Sequence, residues 1–158
     1  VLFILFQIGA DRYALEASRV VEVIPLLELR PVPNAPRGVA GLFNYRGNTI
    51  PAVDLPKMIT GRAAAERLTT RILIVRTDPG RGTDGLLGLI AERATTTLRK
   101  DPQDFVHTGI GHSTASHLGP VLLDEHGVVQ WIQEQRLIPE NLRQSLLPAA
   151  PAVANGSD

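Results

Sequence analysis

The sequence contains no cysteine. That excludes disulfides, thiolate catalysis and cysteine metal sites together, and it leans toward a reducing compartment. Net charge is lacking as well, since 16 Lys and Arg balance 16 Asp and Glu. A neutral chain carries no electrostatic footprint for nucleic acid or an anionic membrane. Lysine is scarce, 2 residues against 14 arginines. Arginine is the better bidentate interface residue, although a genome biased toward arginine codons gives the same ratio. No apolar run approaches the roughly 18–20 residues that span a bilayer. Val1–Phe6 is apolar but lacks a basic leader and a small-residue cleavage site, so it does not read as a signal-peptide remnant.

Catalytic signatures are also missing. There is no G-x-x-x-x-G-K-[ST] phosphate loop, and the glycines of Thr77–Gly85 precede a strand rather than a helix. Gly111-His112-Ser113-Thr114-Ala115 matches G-x-S-x-G only loosely, because Ala115 stands for the last glycine and no strong strand leads into it. His107, His112 and His117 are spaced five apart. Metal-binding helices place ligands three or four apart, and no carboxylates cluster nearby, so these histidines read as polar loop residues and no metal or cofactor is expected. Asn155-Gly156-Ser157 is a formal glycosylation sequon in a tail and means little without a secretory route.

What is present is hydrophobic and short-ranged. The 158 residues are 44% hydrophobic, enough for one domain with a real core or two small subdomains sharing one. Val1–Ile8 is apolar on both alternating faces and reads as a buried strand; Gly9-Ala10-Asp11 turns it into a half-buried partner over Arg12–Ala17. The V-V-E-V run at 20–23 fits a helical turn capped by Ser18 or a strand. Pro25, Pro31, Pro33 and Pro36 forbid both a helix and a central strand, which leaves an extended edge path.

Gly38–Leu55 then sets two apolar segments, Val39–Phe43 and Ile50–Leu55, around the polar turn Asn44–Asn48. Gly38, Gly41 and Gly47 allow close approach or positive φ. Pro51 marks an edge or a bulge in the returning strand. Pro56–Gly61 reads as a helical turn closed by Gly61, and 62–70 as a surface loop or short helix. Strands follow at Arg71–Arg76 and Leu86–Ala91, the latter continuing over Thr95–Leu98 past a bulge at Glu92–Ala94. Val121–Leu123 and Val128–Ile132 form a hairpin across Asp124–Gly127. Gln133–Leu147 is helical in character, and Pro148–Asp158 reads as a disordered tail. Nine or ten short strands with little helix point to one or two small antiparallel barrels, meeting near 56–70.

Two charges stand out. Glu22 and Arg46 each lie inside an apolar stretch, and a half-buried charge is costly unless paired. They are either two unrelated exposed charges or an ion pair at a barrel edge used in docking.

At these residues the sequence resembles the CheW family of coupling proteins in bacterial chemosensory arrays. Phe6-Gln7-Ile8-Gly9 with Tyr13-Ala14-Leu15 resembles the family's opening hairpin, and Val20–Val23 its V-x-E-[VI] element. Pro33–Leu55 resembles its P-x-x-P-x-x-[VI]-x-G-[LV]-x-N-x-R-G-x-x-[IV]-P-x-[VI]-D-L signature, and Leu87–Glu92 its V-G-L-x-V-D strand, with Glu92 in place of Asp. The late x-L-L-D-x-x-x-L element is replaced by Gln130-Trp131-Ile132-Gln133, where Trp131 is either an exposed anchor or a core residue.

The resemblance covers about residues 1–138. It implies a mainly β fold of two intertwined five-stranded SH3-like barrels, with short helices and a C-terminal helix, over 1–147. It implies no catalysis and no cofactor. It implies a cytoplasmic adaptor that links a chemoreceptor's cytoplasmic tip to the regulatory domain of a CheA-type histidine kinase, with self or paralogue contacts in array rings. By carry-over, Glu22 and Arg46 match the family's paired charges. Val20, Ile24, Gly47, Ile50 and Val53 become candidates for barrel docking, and Leu89, Ile90 and Ala91 for a groove seating a receptor helix. A ring-filling subunit without receptor contact is the alternative reading; a small β-barrel enzyme lacks a base or nucleophile. The divergent second half leans toward a surface-sensing, Wsp-type branch.

Overall fold

A computed structural model describes residues 1–77, 85–107 and 118–133. Nine strands run through them: β1 (Leu2–Ile8), β2 (Asp11–Glu16), β3 (Val20–Pro25), β4 (Val39–Tyr45), β5 (Asn48–Asp54), β6 (Arg71–Arg76), β7 (Leu86–Arg99), β8 (Leu118–Asp124) and β9 (Gly127–Ile132), with one short helix, α1 (Leu55–Thr60). His112, His117, the Gly111–Ala115 motif, residues 134–147 and the tail lie outside the described residues.

The long strand β7 organises the fold. Its first half pairs antiparallel with β6 and parallel with β5, and its second half pairs antiparallel with β1. Between the halves the register slips, with Leu5 opposite Thr96 but Gln7 opposite Glu92, and Arg93 takes φ 53°. This is the bulge expected at Glu92–Ala94; it bends the strand from one sheet into the other. One group of five strands is therefore β3, β6, β7, β5 and β4, and the other is β7, β1, β2, β9 and β8. Both ends of the described chain lie in the second group, so the first is inserted between them.

The core follows from strand alternation. Phe43, Ile50, Ala52, Ile72, Ile74, Leu86 and Ile90 fill the first group. Phe3, Ala14, Phe105, Leu122 and Val129 fill the second. The opposite faces of the same strands meet between the groups, where Phe6, Tyr13, Leu15, Val53, Leu73, Val75, Leu87, Leu89 and Ile132 form a shared core. The two-faced apolar runs of β1, β6 and β7 thus have a single explanation: each strand is covered on both sides. Trp131 is half-buried and packs edge-on to Phe3 at 5.1 Å and tilted to Phe105 at 5.2 Å, so it belongs to the second core rather than to a free anchor.

The V-V-E-V run is strand. A single 3-10 turn at Ala17–Arg19 precedes it, and the Ser18 hydroxyl donates to Glu16 Oε2 (2.6 Å) instead of capping a helix. After β3 the proline-rich path runs without regular pairing until Arg30, which exchanges two 2.8 Å backbone hydrogen bonds with Leu42 of β4. Leu42 stands opposite Pro51; its own backbone groups are spent on Arg30, so the N–H that Pro51 lacks is not needed there.

Gly41 makes this closure possible. Its φ is 151°, and a Cβ there would meet Arg30 O at 2.6 Å. Gly41→Ala is expected to push the two segments apart and to cost about 1–3 kcal/mol, read as a lower urea midpoint.

Candidate functional site

The tip of the β4–β5 hairpin is a two-residue turn, Arg46-Gly47, with both residues at positive φ (52° and 86°). This is the type I′ geometry that matches strand twist. Asn44 Oδ1 accepts from Gly47 N at 2.9 Å and holds the turn. The strands therefore run closer to the tip than their apolar residues alone indicate, and Arg46 sits at its apex.

Across from this tip lies β3, which carries Glu22. Arg46 Nη2 donates to Glu22 Oε1 at 2.9 Å. Tyr45 Oη donates to the same oxygen at 2.5 Å, and the guanidinium carbon lies 5.4 Å from the Tyr45 ring centroid, within cation–π range. The Tyr45 ring is buried in the first core. The Arg46 side chain is 72% exposed and that of Glu22 37%. The hydrogen bonds from Tyr45 and then Arg46 lower the Glu22 pKa; the bond to Glu22 raises both Tyr45 and Arg46. The cluster thus holds an ionised carboxylate between a neutral phenol and a guanidinium. Of the two readings of Glu22 and Arg46, the ion pair is the one the fold contains.

The other residues singled out in the sequence divide sharply. Val20 and Ile24 are half-buried on β3, two residues either side of Glu22, Val20 packing against the shared core and Ile24 against the first, and Gly47 is exposed next to Arg46 at the tip. Ile50 and Val53 on β5, and Leu89, Ile90 and Ala91 on β7, are buried at 3% exposure or less. Ile50, Val53, Leu89 and Ala91 present almost no surface in this fold, whereas Ile90, at 3% exposure, still lines the groove described next. The cause is topological: β5 and β7 pair in the middle of the first group, with one face in its core and the other in the shared core.

The groove that reaches Ile90 is of mixed character, with Glu28, Asp54, Glu66 and Arg67 among its lining. A cavity of about 840 Å³ is lined by Leu26, Leu27, Leu29, Ala64 and Leu68, among others, with Ile90 at its floor. Leu68 is 96% exposed there.

Three further polar arrangements have structural roles. Asp54 caps α1 by accepting from Lys57 N (2.9 Å) and also accepts from Ala64 N (2.9 Å). Glu92 accepts from Ala65 N at 2.7 Å. Together they pin the 62–70 loop, which gives a concrete role to the acids at the end of the I-P-x-V-D and V-G-L-x-V-D elements. Asp54 does not figure in the helical turn expected from the sequence; an Asp two residues before a proline is the signal that finds it.

The third is Arg12 with Asp124, a bidentate pair at 2.8 and 2.9 Å joining β2 to the end of β8. Nothing in the sequence links residues 112 positions apart. The Arg12 hydrogen bond, with help from His126 N, lowers the Asp124 carboxyl from 3.8 to about 2. A depressed carboxylate stabilises the fold above its unfolded pKa, and the contribution disappears as pH falls through the folded one. Asp124→Asn is therefore expected to cost about 1–2 kcal/mol at pH 7 after allowance for partial solvent screening. The gap to wild type should close between pH 3.8 and about 2 in denaturant melts.

No group of three or more His, Asp or Glu side chains able to hold a metal occurs among the described residues, and no helix among them is long and apolar enough to cross a membrane.

Two five-stranded groups around a shared core, with a charged cluster on the seam of one of them, define a mainly β domain of a particular kind. A model of the CheW-like domain matches residues 2–141, and the chain belongs to that family. The chemotaxis protein CheW of Helicobacter pylori is 32% identical over 97 residues, covering 61% of this chain and 56% of that protein. CheW of Treponema pallidum is 30% identical over 115 residues, covering 67% and 65%. FrzA of Myxococcus xanthus is 29% identical over 119 residues, covering 73% and 70%. The matches thus span between half and two thirds of the two CheW proteins' own length. The crystal structure of the scaffolding protein TtCheW from Thermoanaerobacter tengcongensis is similar with a TM-score of 0.79 at 21% identity, covering 93% of each chain, which establishes the fold.

Proposed function

We propose that the protein is a non-catalytic scaffold that couples chemoreceptors to a CheA-type histidine kinase in a bacterial chemosensory array, working in the cytoplasm beside membrane-bound receptors. Family membership and the chemotaxis and scaffolding names of its relatives support this reading. The observation that carries it is the cluster at the hairpin tip: an exposed arginine, held by a carboxylate and an aromatic ring. Such an arrangement suits recognition, because a guanidinium fixed in advance loses little entropy on docking.

Val20, Ile24 and Gly47 flank it and extend the surface along β3. The groove at Leu26–Leu29 and Leu68, which also carries Glu28, Glu66 and Arg67, offers a mixed apolar and charged seat for a partner segment. The mechanism is geometric: the scaffold holds receptor and kinase so that a receptor movement biases the kinase. No chemistry passes through this chain.

The test measures two affinities separately. Purified protein is titrated with the regulatory domain of the CheA-type kinase encoded nearest to it, and with the cytoplasmic tip of the neighbouring receptor. Binding to both supports coupling. Binding to the kinase alone leaves a ring-filling subunit, and binding to neither refutes the reading.

A further inference from the structure

The first group of strands is nearly a closed barrel, but one seam is open. Among the described strands, β3 pairs only with β6, and β4 pairs only with β5. Between β3 and β4 the backbone is bridged at one place, Arg30 with Leu42. At the other end of that seam, two side-chain hydrogen bonds, from Tyr45 and Arg46, meet on one oxygen, Glu22 Oε1. Of the two donors, only Tyr45 is anchored. Its ring is fixed by the core, whereas Arg46 stands on a long flexible stem that is mostly solvent-exposed. Glu22 is paired with Ile74 of β6 just after a register shift between Val20 and Glu22, so its backbone is held, while its side chain, 37% exposed, is left to be placed by its partners.

From this geometry we infer that Tyr45 is the positioning residue of the docking surface: its hydroxyl fixes the Glu22 carboxylate, and the carboxylate and the ring together fix Arg46. Tyr45 touches the partner only through Arg46. The order of dependence is set by rigidity. A surface ion pair between two mobile side chains is weak and populates many geometries, while a hydrogen bond from a buried phenol to a carboxylate is short and directional. The ring under the guanidinium removes the remaining freedom by restricting Arg46 to one side of the hairpin. The cluster is therefore a clasp with a fixed end and a presented end. The clasp lies on the barrel seam, so the arginine is presented where β3 and β4 face each other without a ladder.

This inference rests on the proposed coupling role for its partner, but the clasp itself can be tested without one. Tyr45→Phe removes one oxygen and keeps the ring in the core. In the free protein, carbon-detected titration of Glu22 should show its carboxyl pKa moving up toward the ordinary glutamate value, with the fold unchanged by circular dichroism. An unmoved titration overturns the clasp whatever the protein binds.

Affinity for the kinase regulatory domain and the receptor tip is then measured for wild type, Tyr45→Phe, Arg46→Ala and the double variant. Loss of one hydrogen bond to a charged group is expected to weaken binding about three- to ten-fold. The same hydroxyl deletion in the Arg46→Ala background should have no further effect, because Tyr45 acts through Arg46. Equal losses in both backgrounds overturn the positioning role, as does full affinity in Tyr45→Phe. If wild type binds neither partner, the coupling role is refuted, and the Glu22 titration still decides the clasp.

Discussion

Arg46→Glu is expected to weaken binding to whichever partner docks at the hairpin tip about 30- to 100-fold, with the melting curve nearly unchanged. The two halves of this expectation come from different physics. The side chain is 72% exposed, so its pair with Glu22 is screened by solvent and contributes little to folding. At an interface the same group is desolvated, and reversing its sign replaces attraction by repulsion toward the partner and toward Glu22. A charge reversal at a central arginine is among the costliest single changes an interface suffers. The turn itself tolerates the change in charge, since the positive φ at position 46 (52°) belongs to the type I′ geometry. Affinity by calorimetry and stability by thermal melt separate the two halves. Unchanged affinity removes Arg46 from the docking surface.

The second large effect lies in the shared core. Leu89→Ala is expected to destabilise the protein by about 2–5 kcal/mol. Leu89 has no exposure and packs where the two groups meet, a region that cannot collapse around a void without shifting strands of both groups. Its neighbour Gly88 faces the other way, into the first core, where a Cβ would stand 2.8 Å from both Ile72 Cγ2 and Phe43 Cε1, so β7 is tightly covered on both sides. The expected pattern is the inverse of Arg46→Glu. The denaturant midpoint falls steeply, and the affinity of the remaining folded fraction is unchanged. A Leu89→Ala protein of wild-type stability with impaired binding would return Leu89 to the surface role that its position in the V-G-L-x-V-D element suggested.

That contrast shows where the sequence was informative. The hairpin, its turn and the helix-ending Gly61 were legible because their cues are local: period-two apolar residues, a glycine at positive φ, a capped turn. The bulge near Glu92 was legible because the apolar pattern breaks there. The facing of β5 and β7 was misjudged. The resemblance made Ile50 and Val53 docking-edge candidates, in line with the edge signal of Pro51, and Leu89, Ile90 and Ala91 groove candidates, yet the near-continuous apolar runs I-P-A-V and L-L-G-L-I-A are what a strand covered on both faces requires. The weight belonged on the run, not on the proline, whose missing N–H is rendered harmless by Arg30.

The ion pair of Glu22 and Arg46 was legible as one of two readings because isolated charges in apolar stretches need partners. Tyr45 was not, since a tyrosine in a strand is ordinary core until its hydroxyl is located. Arg12 and Asp124 were invisible for the same reason at longer range: a turn aspartate gives no hint of a guanidinium on another strand.

The most direct test is receptor control of the kinase. The neighbouring CheA-type kinase and its receptor, in membranes, are assayed for autophosphorylation with and without the protein, and with Arg46→Glu in its place. The expected result is that receptor ligand changes the rate only when wild-type protein is present, and that Arg46→Glu fails to restore this control at concentrations where wild type saturates. Full receptor control without the protein, or no control with it, would contradict a coupling scaffold.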